Sequence, residues 1–384
     1  MKKFFLIAAA AIVAFASCSK NETPLVQEEN NAIGFNSYAG RAVSKAGDTF
    51  IPEKQTWLNQ GKAFGVYAYN TKAATFAPDP ETGVAGYDKF MVNEKVTFTG
   101  STAAEAEKYN NYKYDNKKYW PNDETNNLLT FWAYYPHNAL TKGFEANDFT
   151  VEKTPANMVD LLLSDVKPDM TYTDAKKEGT VGYVDFMFHH ALTMVKFKVM
   201  AAEDYAGATI TLNSFVVVAK KQGTVTPVFN DETKKTSFEW EPAVDTAHFN
   251  VCTTPIILTA NGAWLPSNTA AATTTSDAVS PVACPPADAY LMIPQDLATI
   301  VNGTNATEEP IVYAEIKYTV TSTDQNVTPV VNTVKVGLKT DKVATWAMNK
   351  NIVYTFTVGL KPIEFTASVT DWEEPVISTG ITID

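Results

Sequence analysis

The chain has 384 residues, a formal net charge of −12 and 12% aromatic residues. The acidic balance argues against nucleic acid or an anionic membrane surface as a partner. The length predicts two domains or one large all-β domain, and the many Thr, Val and aromatic residues favour strands over helices.

The first residues predict a lipoprotein signal. Two lysines precede an apolar run from Phe4 to Ala16, which is shorter than the roughly 20 residues needed to span a bilayer. Small residues then lead directly to Cys18, so residues 1–17 are predicted to be removed once the Cys18 thiol is acylated. Acyl chains on Cys18 would give a stable membrane anchor. The alternative is an ordinary signal peptide that happens to contain a cysteine.

The rest of the chain is typical of an all-β protein built from antiparallel β-sandwiches. Val195, Phe197 and Val199 face one way while Lys196 and Lys198 face the other, as in a half-buried strand. Strands are predicted at residues 63–69, 128–135, 186–188, 192–200, 215–218, 289–293, 311–320, 333–338, 352–360 and 363–369.

Helical signals are few and short, at residues 102–109 and 158–163. A polar segment at 168–184 separates an aromatic-rich first half from a second half rich in Val and Thr. We therefore predict two tandem β-sandwich domains, 42–182 and 183–384, preceded by a tether and first strand at 18–41.

Motifs for catalysis or metal binding are absent from the sequence, and no cofactor or metal is expected. His189 and His190 are adjacent on a predicted strand, so they point to opposite faces and cannot share one metal ion. Cys252 and Cys284 would close a disulfide loop of about 30 residues, worth about 3–4 kcal/mol, or remain two buried thiols. An enzyme is not expected.

Four aromatic residues suit either a core or a sugar-stacking surface: Trp120, Trp132, Tyr134 and Tyr135. Strand alternation predicts that one pair in the 132–135 run fills the core while the other pair lies outside.

Several short runs, in order along the chain, resemble the fimbrillin-like family of Bacteroidetes lipoproteins, the subunits of type V pili. After Cys18 come Ile33-Gly34-Phe35, Phe64 to Tyr69, Tyr119-Trp120-Pro121, Leu129 to Pro136, a Phe-x-His-x-Leu stretch at 188–192, Tyr290 to Gln295, Trp346 with Asn349 and Tyr354, and Val369 to Trp372.

The resemblance implies two transthyretin-like β-sandwich domains, no catalysis, and assembly into fimbriae on the cell surface. It implies that a trypsin-like protease cuts between Arg41 and Ala42, which removes the first strand, and that a strand from a neighbouring subunit fills the groove left behind. Arg41 is the single arginine of the chain; the alternative is an ordinary surface residue. The donor strand would come from the C-terminal region, at 363–369 or 375–383.

The sequence thus predicts a structural and adhesive fimbrial subunit, of the shaft, tip or an accessory kind. It would be carried to the outer membrane by the lipid on Cys18, and its partners would be other fimbrial subunits and host or bacterial surface ligands. The alternative is a surface lipoprotein that binds glycans through exposed aromatic residues.

Overall fold

The structure is a computed structural model, and it describes residues 31–39, 61–78, 83–99, 112–175, 182–265, 289–297, 312–360 and 364–372. Cys18, Arg41, Ala42, Cys284 and the predicted helix at 102–109 lie outside them.

The described part of the chain is all-β, as predicted, with one short 3-10 helix at Pro155–Asn157. No helix in it has the length and apolar character to cross a bilayer. The strands are β1 Gly34–Ala39, β2 Ala63–Lys72, β3 Asp88–Phe98, β4 Tyr112–Lys113, β5 Leu128–Tyr135, β6 Asn147–Thr150, β7 Leu162–Ser164, β8 Lys167–Met170, β9 Tyr183–His190, β10 Thr193–Ala201, β11 Ala208–Lys220, β12 Gln222–Asn230, β13 Lys235–Pro242, β14 Thr246–Cys252, β15 Ile256–Ile257, β16 Ala263–Leu265, β17 Ala289–Met292, β18 Gln295–Asp296, β19 Tyr313–Ser322, β20 Val330–Gly337, β21 Thr345–Trp346, β22 Lys350–Val358 and β23 Glu364–Asp371.

The predicted helix at 158–163 is wrong. Leu162 and Leu163 belong to β7, which pairs with β5 on one side and β9 on the other. Leu161, Leu162 and Leu163 are all buried. A short apolar run of this kind has no period that distinguishes a helix from a strand covered on both faces.

The first sheet has eight strands in the order β1-β9-β7-β5-β2-β3-β4, with β8 also pairing with β5. Most neighbours in it are antiparallel, whereas β1 runs parallel to β9. A contact between Ser37 and Tyr112 joins β1 and β4, the outermost strands, so the sheet curves back on itself.

Strand β5 is buried on both faces. On one face Phe131 contacts an aromatic cluster that includes Phe35, Phe64 and Phe186. On the other face Trp132 and Tyr134 join a cluster that continues into the second half of the chain. The expectation that one pair of the 132–135 run lies outside is therefore wrong, because both faces of the strand are covered.

The second half of the chain forms a β-sandwich of two five-stranded sheets. One sheet has the order β16-β10-β22-β23 with β17 on β10, and the other β14-β11-β19-β20 with β15 on β11. Phe215 of β11 lies 5.4 Å from Phe197 of β10 and 5.2 Å from Phe356 of β22, measured between ring centroids, so the two sheets pack face to face.

The two halves of the chain are joined by packing as well as by sequence. Phe76 lies 5.6 Å from Phe229 of β12, and β6 adds to the β12–β13 hairpin as a third strand. Sheet membership changes between β9 and β10. The division into domains at residues 182 and 183 stays a prediction.

The two-sided burial of β5 predicts that both of its faces contribute strongly to stability. Phe131→Ala and Trp132→Ala should each lower the free energy of unfolding by about 3–5 kcal/mol, because each leaves a cavity in a different cluster. Denaturant unfolding of the purified chain measures this. Val331→Ala is the control, because Val331 is exposed, and should change stability by no more than about 0.5 kcal/mol. A neutral Trp132→Ala would show that the second face is not packed.

Candidate functional site

Strand β1 lies at the edge of the first sheet, yet its side chains enter the core. Ile33, just before the strand, Phe35 and Ser37 point inward and are 2%, 1% and 2% exposed. An edge strand that fills a row of the core is both well buried and accessible along its backbone.

Phe35 occupies an aromatic site formed by three separate parts of the chain. Its ring centroid lies 5.3 Å from that of Tyr114, 5.8 Å from Phe186 of β9 and 6.3 Å from Phe131 of β5. Contacts at these spacings add to the burial of the ring itself. We call the surface that receives β1 the β1 groove; its lining residues are Tyr112, Tyr114, Phe131, Tyr183 and Phe186.

The backbone of this first segment is hydrogen-bonded along one edge of β1 and, on the other edge, at Ile33. On one side β1 pairs in register with β9, from Gly34 opposite Tyr183 to Ala39 opposite Phe188. On the other side the Ile33 amide donates to the Lys118 carbonyl at 2.9 Å, and the Tyr114 hydroxyl donates to the Ile33 carbonyl at 2.8 Å. The groove therefore binds the backbone of an extended strand in addition to its side chains.

Two polar contacts fix β1 along its length. The Ser37 hydroxyl lies 2.5 Å from the Tyr112 hydroxyl, and the Asn36 amide donates to the Asp185 carboxylate at 2.9 Å. Burial raises the pKa of Tyr112 to about 12, and it raises the pKa of Tyr114 to about 12 as well. Both phenols are thus partly shielded from water with β1 in place.

Gly34 lies against the ring of Tyr183. A Cβ atom at Gly34 would lie 2.3 Å from Cε1 and 2.4 Å from Cδ1 of that ring, far inside van der Waals contact. The φ angle of Gly34 lies outside the left-handed region, so close approach of the ring is what requires glycine here.

Strand β1 ends two residues before Arg41, which lies outside the described residues together with Ala42. Cleavage between them would separate β1 from the rest of the chain. Strand β1 would then be held only by the non-covalent contacts described above.

His189 and His190 face different partners, as the alternation of the strand predicts. His189 Nε2 lies 3.1 Å from an Asp165 oxygen, and His190 Nδ1 lies 2.8 Å from an Asp160 oxygen. The His190 ring also stacks on Trp372, with centroids 3.8 Å apart and planes 8° apart. These histidines therefore hold β9 to the residues flanking β7 and to the end of β23.

The remaining candidate residues do not form a site. Cys252 is buried, and its thiol lies 3.1 Å from the Thr254 carbonyl; because Cys284 lies outside the described residues, the disulfide stays a prediction. His137 Nε2 lies 3.2 Å from the Asn93 carbonyl oxygen, and His248 is exposed. The described residues contain no group of three His, Cys, Asp or Glu side chains placed to hold a metal.

Sequence reasoning missed most of the groove. Tyr112, Tyr114 and Tyr183 are far from residue 34 in sequence, and each follows or precedes a polar stretch that does not look like core. In the sequence, Gly182 lies in the polar segment predicted to be a linker. In the structure, the Gly182 carbonyl accepts hydrogen bonds from the Gly34 amide at 2.8 Å and from the Trp120 indole at 3.1 Å. Its φ of 76° favours glycine.

We predict that Gly34→Ala weakens the packing of β1. The new methyl group must displace the Tyr183 ring, and overpacking of this kind costs about 1–3 kcal/mol. Thermal or denaturant unfolding measures it. Gly86→Ala is the matched control, because a Cβ at Gly86 meets nothing within 4 Å. Equal effects of the two variants would contradict a special role for the Tyr183 contact.

Removal of β1 should alter the titration of the groove tyrosines. In a chain cleaved after Arg41 and freed of its N-terminal fragment, water reaches Tyr112 and Tyr114, so their pKa should fall from about 12 toward the ordinary 10. The two phenols have a higher pKa with β1 bound than with β1 removed, so they favour bound β1 fully only below about pH 10. This contribution should be lost between about pH 10 and pH 12, and β1 should be retained less strongly there. Ultraviolet absorbance of the phenolate measures both effects, and Tyr112→Phe with Tyr114→Phe should remove the difference. Identical titration curves for the intact and β1-free chains would contradict this assignment.

The profile of the fimbrillin-like family matches residues 41–372. The fold is similar to the crystal structure of a fimbrial protein from Bacteroides vulgatus, with a TM-score of 0.58 and 18% identity over 90% of this chain and 100% of that one. A candidate cell adhesion protein from Bacteroides uniformis matches with a TM-score of 0.46 and 15% identity, over 89% of this chain and 98% of that one. The tip fimbrial protein Mfa3 from Porphyromonas gingivalis matches with a TM-score of 0.37 and 12% identity, over 83% and 96%.

Those last two TM-scores are below 0.5, so the structural comparison rests on the Bacteroides vulgatus protein. No curated protein matches the chain. The family profile covers most of the sequence, and the chain belongs to the fimbrillin-like family, whose members are structural and adhesion proteins rather than enzymes.

Proposed function

We propose that this protein is a subunit of a surface fimbrium that assembles by exchanging β1 for a strand of a neighbouring subunit. The observation that carries the proposal is the position of β1. It is an edge strand, it fills a row of the core, and it ends two residues before the single arginine of the chain.

The energetics of β1 support exchange rather than simple loss. Full burial of a side chain such as Ile33 or Phe35 contributes about 1.5–3 kcal/mol, so the two together contribute about 3–6 kcal/mol. Loss of β1 without replacement would expose this apolar row and the unpaired edge of β9 to water. A cleaved subunit therefore keeps its groove filled until another strand competes for it.

Export and anchoring complete the proposal. The sequence from Met1 to Cys18 supports a lipoprotein signal, with lipid on Cys18 and delivery to the outer membrane. Cleavage between Arg41 and Ala42 would then remove the lipid together with β1. Arg41 thus decides whether the subunit stays anchored or enters a fimbrium through contacts with other subunits.

The donor strand has two candidates in the C-terminal region. The segment 363–369 overlaps β23, which is paired with β22 along its length inside the same chain. The segment 375–383 follows β23 and lies outside the described residues. We favour the second segment because it does not require the sandwich to give up a strand.

Glycan binding, the alternative function, does not have the aromatic surface that was expected for it. Trp120, Trp132, Tyr134 and Tyr135 are 3%, 0%, 0% and 8% exposed. These four side chains offer no accessible face for stacking on a sugar ring, so the residues that suggested glycan binding do not support it.

The test is assembly of an Arg41→Ala variant. The variant should remain full length, keep β1 and form no SDS-resistant ladder in unboiled gels, because the groove is never vacated. Lys45→Ala changes a nearby basic residue and is the matched control; it should form ladders like the wild type. Ladders in the Arg41→Ala variant would overturn the proposal that cleavage here permits assembly.

N-terminal sequencing of the wild-type protein from the cell surface is the companion measurement. A start at Ala42 is expected for assembled subunits, and a blocked start at Cys18 for the anchored precursor.

A further inference from the structure

The contact between Tyr183 and Gly34 restricts which strand can occupy the β1 groove. A Cβ atom placed at residue 34 would have three atoms of the Tyr183 ring as its nearest neighbours, at 2.3, 2.4 and 2.8 Å. Tyr183 is itself on β9, opposite Gly34 in the strand register. Any strand that replaces β1 in the same register meets the same ring.

The groove therefore favours a particular sequence pattern. A glycine opposite Tyr183 leaves the ring in place, whereas any other residue there must displace it. An apolar residue after the glycine fills the site of Phe35 among Tyr114, Phe131 and Phe186. Positions alternate between the core and the outer face, so a shift by one residue reverses every side chain.

We propose that Tyr183 selects the register of the incoming strand and that the strand is the segment 378–384 of a second copy of this chain. This inference rests on the proposed strand exchange. Gly380 takes the place of Gly34, Ile381 that of Phe35, Thr382 that of Asn36 and Ile383 that of Ser37.

The sequence of this segment fits one register only. Gly380 is the single glycine after Gly359, and Ile381 and Ile383 alternate with Thr382. A shift by two residues would place Ser378 or Thr382 beneath the Tyr183 ring. A shift by one would put both isoleucines on the outer face.

Strand β23 does not fit the groove in this way. Its sequence, Glu364 to Asp371, contains no glycine, so every register would force a Cβ against Tyr183. This distinguishes the two C-terminal segments by sterics, independently of the pairing of β23 with β22.

The replacement changes the contacts of the groove at two positions. Ile381 is smaller than Phe35, which reduces burial beside Tyr114. Ile383 adds an apolar side chain where Ser37 contacts the Tyr112 hydroxyl, so Tyr112 loses that partner.

The experiment compares the SDS-resistant ladders formed by variants of the whole chain. All of them except Arg41→Ala keep the proposed cleavage site. Gly380→Val should reduce ladders at least about tenfold, since a branched side chain must displace the Tyr183 ring. Gly207→Val makes the same substitution at an exposed glycine outside the groove and the donor segment, where a Cβ meets nothing within 4 Å, and should keep ladders at the wild-type level. Adding Tyr183→Ala to Gly380→Val should restore them, because it removes the obstructing ring.

The outcomes separate the register from strand exchange itself. Wild-type ladders in Gly380→Val, together with their loss in Arg41→Ala, would overturn the register and leave exchange standing. Equal loss in Gly380→Val and Gly207→Val, without recovery when Tyr183→Ala is added to Gly380→Val, would also overturn it. Ladders in every variant, including Arg41→Ala, or in none, including the wild type, would overturn both proposals.

Discussion

Strand β9 is the element on which the candidate site depends. One edge of it pairs in parallel with β1 and the other edge pairs with β7. Its inward residues Phe186 and Phe188 build the aromatic core, while the outward Tyr183 covers Gly34. Because the same strand supplies the backbone edge, the core wall and the steric restriction, the groove keeps its shape only while β9 stays fixed.

The fixation of β9 comes from its C-terminal end. His189 and His190 hydrogen-bond to Asp165 and Asp160, which lie on either side of β7, and both contacts are partly buried. Contacts of this kind contribute modestly to stability, so their main effect here is to hold β7 and β9 in one register. In the proposed exchange the groove would need this support, because β1 could not supply it once removed.

Sequence alone predicted the strongly patterned elements and missed those with polar or mixed faces. The bounds of β5 were predicted at 128–135, where the structure has them, because an aromatic run ends at Pro136. Strands β3 and β13 were missed, since charged residues alternate with apolar ones on surfaces that are half exposed. Strand periodicity shows which residues share a face, but it does not show whether that face is covered. Periodicity therefore cannot predict that Trp132 and Tyr135, on opposite faces of β5, are both buried.

The site itself depends on contacts that sequence does not encode locally. The first-strand pattern Ile33-Gly34-Phe35 was recognised as a resemblance, but the reason for its glycine is a tyrosine 149 residues later, paired opposite it in the sheet.

Two motifs of the family resemblance, at 188–192 and 369–372, are far apart in sequence. The stack of His190 on Trp372 brings them into contact. Trp372 is followed by the segment proposed as the donor, so β9 carries the receiving groove along one edge and the start of the donor segment at its end. In the proposed exchange, β9 would lie beside both the groove that a neighbour's segment enters and the point where the subunit's own segment begins, and a head-to-tail contact joins two such different surfaces.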